Sequence, residues 1–262
     1  MGRTVIDMAK LRWCCVWMTY DTVRIMLDEV RSADVFYDTS AGAGVVRLLA
    51  RRLTARWPDL RGLNLLGLGY TAPFLSEWRD QSALTVAAHL GTVPDTMLHR
   101  HEADCVVSCS HLPFPDLSFD RILMVHALET APSGRELLRS VWKVLRDNGK
   151  LILIVPNRRG LWALSDTTPY GQGTPYSQRQ VRRLLQEGMF HVETCETALY
   201  PPLFPLLRSP RLSTAIERAG ETVLPACGGV VILEAVKNLW GGVPLTVGKR
   251  TFSLRRRLVE AE

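Results

Sequence analysis

The stretch from Leu63 to Leu75 reads L-N-L-L-G-L-G-Y-T-A-P-F-L: a short apolar run, two glycines one residue apart, then a helix start. An apolar run ending in G-x-G is the pattern of a buried parallel strand that must turn at once into a helix. Glycine at that place lets a ligand come close to the backbone. Pro73 suits the first turn of the helix, where no backbone N–H is needed. The stretch is a candidate nucleotide cradle, and its weight depends on the strands that follow.

Upstream, an amphipathic pattern predicts a helix over Asp21 to Val30, a turn-rich link over Asp34 to Ser40, and a second helix from Gly44 to Trp57. In that second helix Val45, Leu48, Leu49, Leu53 and Trp57 recur at helical spacing opposite Arg47, Arg51, Arg52 and Arg56. Downstream, apolar runs predict strands at Ser82 to Ala88, Ala103 to Val107, Phe119 to Val125 and Lys150 to Val155. Ser133 caps a helix that runs to Leu145, and Asp147-Asn148-Gly149 stops it. A loop from Leu164 to Tyr176 precedes a helix at Ser177 to Gln186, and strands follow at Phe190 to Ala198 and Gly229 to Lys237.

Alternating strand and helix with near-continuous apolar strands predicts an α/β fold. It is a Rossmann-like, seven-stranded, mostly parallel sheet with an antiparallel C-terminal strand and helices on both faces. Ligands then sit in the loops after Leu66, Ala88, Val107, Val125 and Val155. The expected organisation is a helical extension at residues 1–60, the sheet domain at 61–237 with a Pro-rich covering insertion at 199–227, and a basic tail at 238–262.

A hydrophobic fraction of 47% with 22% charged residues supplies ample core and argues for a globular chain. The net charge of +6 comes largely from pairs such as Arg51-Arg52, Arg158-Arg159 and Arg182-Arg183. No nucleic-acid module accompanies them, so a solvated basic face is expected and nucleic acid is not. The six cysteines form no C-x-x-C pair, which predicts reduced thiols and a cytoplasmic protein. No segment approaches the roughly 20 apolar residues that span a bilayer. His99, His101, Cys105, Cys109 and His111 cluster in sequence, but their spacing matches none of the usual zinc patterns, so no metal is expected. G-x-G-x-x-A at Gly67 to Ala72 also fits a dinucleotide site, yet the acid expected about 20 residues on is absent.

Three blocks carry a resemblance: Leu112-Pro-Phe-Pro-Asp-Leu-Ser-Phe-Asp-Arg-Ile-Leu, then His126-Ala-Leu-Glu, then Glu136 through Asn157. Together they resemble the class I S-adenosylmethionine-dependent methyltransferases, in the type 11-like branch, over roughly residues 62–236. More narrowly, W-P-D-L-R-G-L-N-L-L-G-L-G-Y and P-N-R-R-G-L-W-A look like an alphaproteobacterial group of that family. The resemblance implies S-adenosylmethionine as cofactor, held by Leu66, Gly67, Gly69, Tyr70, His89, Ser108, His111 and Leu112. Leu65, His89 and Ser108 stand where the family places carboxylates, and Thr71 stands where it places a third glycine.

For the transfer itself, the resemblance directs attention to His126 and Glu129, past the fourth strand. His126 is open to two readings, a base or substrate contact and a packed histidine satisfied by backbone. Asn157, Arg158, Arg159, Trp162, Tyr170 and Tyr176 are the substrate-side candidates, with a solvated arginine pair and loop-anchoring aromatics as the alternatives. Two functions follow. One is methyl transfer from S-adenosylmethionine to a small molecule; the other is a catalytically degenerate methyltransferase fold that binds a ligand or a partner.

Overall fold

The computed structural model describes residues 33, 35–91, 104–164, 168–171, 173–200 and 210–239. The helix expected over residues 21–30, the tail from residue 240 and two of the clustered histidines, His99 and His101, lie outside the described residues. The elements in chain order are α1 (Ser40–Arg56), β1 (Asn64–Gly69), α2 (Ala72–Leu75), β2 (Leu84–Leu90), β3 (Asp104–Val107), β4 (Phe119–Val125), α3 (Gly134–Val144), β5 (Leu145–Pro156), α4 (Gln178–Glu187), β6 (Phe190–Ala198), α5 (Pro210–Val223) and β7 (Val230–Lys237).

The seven strands form one sheet in the order β3-β2-β1-β4-β5-β7-β6. Neighbours from β3 to β5 are parallel, while β7 runs antiparallel to both β5 and β6. The expected antiparallel C-terminal strand is present, and it lies inside the sheet; β6 is the edge. The order of the parallel strands reverses between β1 and β4, which puts the switch-point crevice at the ends of those two strands.

Strand alternation sorts the apolar residues onto two faces. Leu65, Ala87, Leu123, Val125, Ile152, Ile154 and Ile232 pack with α1 residues Val45, Leu48, Leu49 and Leu53. Leu66, Leu68, Val86, Ile122, Met124, Leu151, Leu153 and Leu233 pack with Leu137, Leu138 and Val141 of α3 and Val181 and Leu185 of α4. Each buried leucine contributes about 2 kcal/mol. Although α1 falls in the stretch expected to be an extension, its apolar face completes one side of the core. The helix begins four residues earlier than periodicity suggested because Thr39 caps it, accepting from Gly42 N at 3.0 Å.

Two boundaries bear on the site. The first strand does not stop at Leu66: Gly67 and Gly69 are paired within it, opposite Leu123 and Val125 of β4. The second strand extends to Leu90, so His89 is a strand residue paired with Val106, not a loop residue beyond the strand.

The described part of the 199–227 insertion docks through charge. Glu217 accepts from Leu199 N and Tyr200 N, both at 2.9 Å, and pairs with Arg52 of α1 at 2.9 Å. Arg52 also meets Glu196 and Glu221, and Arg56 pairs with Glu196 at 2.8 Å. The insertion thereby ties α5 to α1 and β6.

Candidate active site at the switch point

At the end of β1 the chain turns at Gly69, whose φ is +82°. Tyr70 N donates to Val125 O at 2.8 Å, which joins the ends of β1 and β4. A Cβ on Gly69 would lie 2.3 Å from Val125 O, and one on Gly67 would lie 2.2 Å from Thr71 Oγ1. The space freed by both glycines is therefore taken up by the chain's own packing.

Immediately after β4, His126 adopts φ +51°, a left-handed conformation that costs a non-glycine residue about 1–2 kcal/mol. Such strain persists where its surroundings over-determine it, often at functional positions. Here Thr130 Oγ1 donates to His126 O at 3.0 Å and closes the turn. The turn aims the ring at a buried polar chain. His126 Nδ1 lies 2.9 Å from Glu129 Oε1, its Nε2 lies 3.0 Å from Tyr37 Oη, and Tyr37 Oη lies 2.6 Å from Tyr170 Oη.

Hydrogen-bond counting orients this chain. If Tyr170 donates to Tyr37, Tyr37 to Nε2 and Nδ1–H to Glu129, every proton has an acceptor. The opposite direction leaves the Tyr170 proton without one among the described residues. Both nitrogens of His126 are then engaged, and Glu129 Oε2 is buried and has no hydrogen-bond partner among the described residues. Burial pushes the Tyr37 and Tyr170 hydroxyls well above the usual phenol range, with the nearby Glu129 charge adding to it. Burial, then Glu129, also raises Tyr176.

Aromatic rings wall this chain. Tyr37 stacks on Tyr70 with centroids 4.9 Å apart, and Phe36 meets Tyr37, Trp162 and Tyr170 edge-on. Glu129 is also held from behind: Thr174 N donates to its carbonyl at 3.2 Å, and Gly173, at φ +70°, leaves no room there for a Cβ.

The other expected site residues fall in four places. Leu66 and Leu112 are core side chains, so a ligand meets them only through backbone. His89 is buried, and desolvation lowers its pKa although Asp104 opposes this. Ser108 hydrogen-bonds Ser110 at 3.1 Å in the loop after β3, where His111 is exposed. Asn157 is spent on backbone: its amide donates to Ala226 O and Gly228 O at 3.0 and 2.7 Å, and its oxygen accepts from Arg159 N. Arg158 and Arg159 are exposed, whereas Trp162 and Tyr170 are buried in the aromatic wall, and Tyr176 Oη donates to Leu128 O at 3.5 Å.

Tyr37 was missed by sequence reasoning, which treated its segment as a link. An aromatic pair, Phe36-Tyr37, in an otherwise polar stretch was the available signal. The thiols of Cys105 and Cys109 are pushed by burial to about 12 and about 11, so neither is a nucleophile at neutral pH. Among the described residues no three His, Cys, Asp or Glu side chains gather to hold a metal, and no helix is long and apolar enough to cross a membrane.

Residues 52–153, which run from α1 through β5 and include the crevice, match the family model described as "Methyltransferase domain". Over those residues the chain is similar to a methyltransferase domain. Solved structures share the domain's fold. A SAM-dependent methyltransferase from Thermotoga maritima is 16% identical with a TM-score of 0.56, over 82% of this chain and 99% of that one. The [4+2]-cyclase SpnF is 18% identical with a TM-score of 0.50, over 72% and 79%. At that identity the likeness is one of fold, and the cyclase is a reminder that the fold alone does not name a reaction. Among curated proteins, YafS of Escherichia coli (strain K12), described as uncharacterized, is 28% identical over 158 residues, 60% of this chain. The match spans 62% of that relative's length.

A SAM-dependent methyltransferase takes S-adenosylmethionine, a ligand with a cationic sulfonium, an ammonium and many hydrogen-bonding groups. Leu65 is wholly buried in the core and offers it nothing polar. Two buried polar atoms without partners among the described residues, Thr71 Oγ1 after β1 and Glu129 Oε2 after β4, lie in the loops that flank the switch point. A hydrogen-bonding ligand would relieve Thr71 Oγ1, so the turn after β1 fits such a group.

Proposed function

We propose that the protein transfers a methyl group from S-adenosylmethionine to a small protic acceptor, with Glu129 as the acceptor contact and His126 as its positioning residue. The observation that carries this reading is the open valence of Glu129 Oε2 at the crevice between β1 and β4. The cofactor would be held by the Gly69-Tyr70 turn, Thr71 and the Ser108 to Leu112 loop, and it supplies an already activated methyl group. What the chain then has to do is orient the acceptor and exclude water.

This division of labour differs from one in which His126 takes the proton directly. Its Nε2 is occupied by Tyr37 and its Nδ1 by Glu129, so its contribution is to fix the carboxylate and stabilise its charge. Glu129 Oε2 accepts the acceptor's proton, and the aromatic walls keep solvent out.

Titration of the full chain with S-adenosylhomocysteine tests cofactor binding, and release of S-adenosylhomocysteine from S-adenosylmethionine with a panel of amines, phenols and carboxylic acids tests transfer. Glu129→Ala is expected to abolish turnover, and His126→Asn to lower kcat with KM for the cofactor unchanged. Absence of S-adenosylhomocysteine binding at roughly millimolar concentration, weaker than almost any working cofactor site, would refute the reading.

A further inference from the structure

We infer that the C-terminal end of α5 and the loop after β5 together form a surface that docks on an anionic lipid bilayer. The helix turns one side inward, with Glu217 buried and Gly220 set against the Tyr200 ring. Its outer side presents Ala215, Arg218, Ala219, Thr222 and Val223 to solvent. Val223 is 71% exposed and Leu224 is 56% exposed; among the described residues they are the only large exposed apolar side chains adjacent in the chain. Single apolar residues scattered over a surface mean little, whereas neighbouring ones point to a contact. The pair is held in place. Leu224 N donates to Gly220 O at 2.8 Å and Cys227 N to Leu224 O at 2.9 Å, so the turn carries on from the helix. The Asn157 amide, by donating to Ala226 O and Gly228 O, ties the residues that follow to the loop after β5.

That loop supplies the charge. Arg158 and Arg159 are both exposed, and neither they nor Arg218 pairs with a carboxylate among the described residues. The exposed acid of α5, Glu221, is already taken by Arg52. Protruding apolar side chains beside unpaired guanidinium groups match the interface of an anionic bilayer, where apolar groups enter the acyl boundary and cations meet the phosphate headgroups. A stable protein partner asks for a broader apolar centre than two side chains offer. The chain's net charge of +6 favours approach to such a membrane. Because β1, β4 and β5 run parallel, the surface lies at the same end of the sheet as the crevice.

The test is co-sedimentation of the full chain with vesicles of phosphatidylcholine alone and of equal parts phosphatidylcholine and phosphatidylglycerol. No cofactor enters the assay, so its outcome is independent of the methyl-transfer reading. Wild type is expected to bind the anionic vesicles at least about tenfold more tightly, and less so as salt is raised. Arg158→Gln with Arg159→Gln should weaken that binding about 25-fold, at about fivefold per charge. Val223→Ser with Leu224→Ser should weaken it about tenfold. All four side chains are exposed, so circular dichroism should match wild type, and the comparison between the two vesicles needs no variant. Arg139→Gln with Arg182→Gln removes the same charge from α3 and α4 and should change binding little. Equal losses from the two arginine pairs would reduce the effect to net charge and overturn the proposal. So would equal affinity for both vesicles, or wild-type binding by the Val223 and Leu224 variant. A wild-type dimer that the same variant converts to monomer, with no vesicle binding, would assign the surface to a second copy of the chain instead.

Discussion

Replacing Gly69 with alanine sets two costs against each other in one residue, and Gly62 provides the control. Both glycines have positive φ, +82° and +73°. At Gly62 an added Cβ meets nothing within 4 Å, so Gly62→Ala costs only the left-handed backbone, about 1–2 kcal/mol. At Gly69 the Cβ would sit 2.3 Å from Val125 O and 2.9 Å from Ala127 Cβ. The nearer atom is backbone in a central strand and already accepts from Tyr70 N, so it cannot give way cheaply. Overpacking of this kind adds about 1–3 kcal/mol, for a total of about 2–5. For a domain of this size that corresponds to a fall in Tm of about 10 °C, against about 4 °C for the control. Urea and thermal unfolding followed by circular dichroism measure both. Equal destabilisation by the two substitutions would refute the claim that Gly69 is required by the closeness of β4.

Three further outcomes are expected. Burial lowers the pKa of His89, so the folded protein holds it neutral while the unfolded chain takes up a proton below about 6.5; stability is therefore full above that value and lost as pH falls through it, and His89→Gln should flatten the urea midpoint against pH between about 7 and 5. Glu217→Gln weakens the seat of two backbone amides and Arg52 together, at about 2–4 kcal/mol, and hydrogen exchange should speed up first at Leu199 and Tyr200. Iodoacetamide at neutral pH should label exposed Cys227 well before Cys105 and Cys109, whose thiols are raised by burial; simultaneous labelling in the folded chain would contradict their placement.

The sheet was legible because its strands are buried on both faces. Ile122 to Val125 and Leu151 to Val155 are unbroken apolar runs, and Ser133 caps its helix as the sequence indicated. The position of β7 between β5 and β6 was not legible, since alternation says which residues are buried and nothing about which strand lies beside which. The glycines were recognisable as a sharp turn, but the reason for them lies in Val125 and Thr71, atoms that only the folded chain brings near. The site divides in the same way. His126 and Glu129 sit three residues apart and could be paired on paper. Tyr37 and Tyr170 reach them from 89 residues before His126 and 41 residues after Glu129, with Tyr37 and Tyr170 themselves 133 apart, and no local pattern marks such a meeting.

The placement of the final strand has a consequence for how the protein is made. As the chain leaves the ribosome, β6 emerges before the strand that pairs with it among the described residues, and β5 has at that moment an open outer edge. Both wait for Val230 to Lys237, a run of V-V-I-L-E-A-V-K that is almost wholly buried once paired. Until it arrives, two strand edges are exposed to other nascent chains, and a premature stop before residue 230 would leave them so permanently. The last described strand is thus the keystone of biosynthesis, the piece whose arrival converts an adhesive intermediate into a closed sheet.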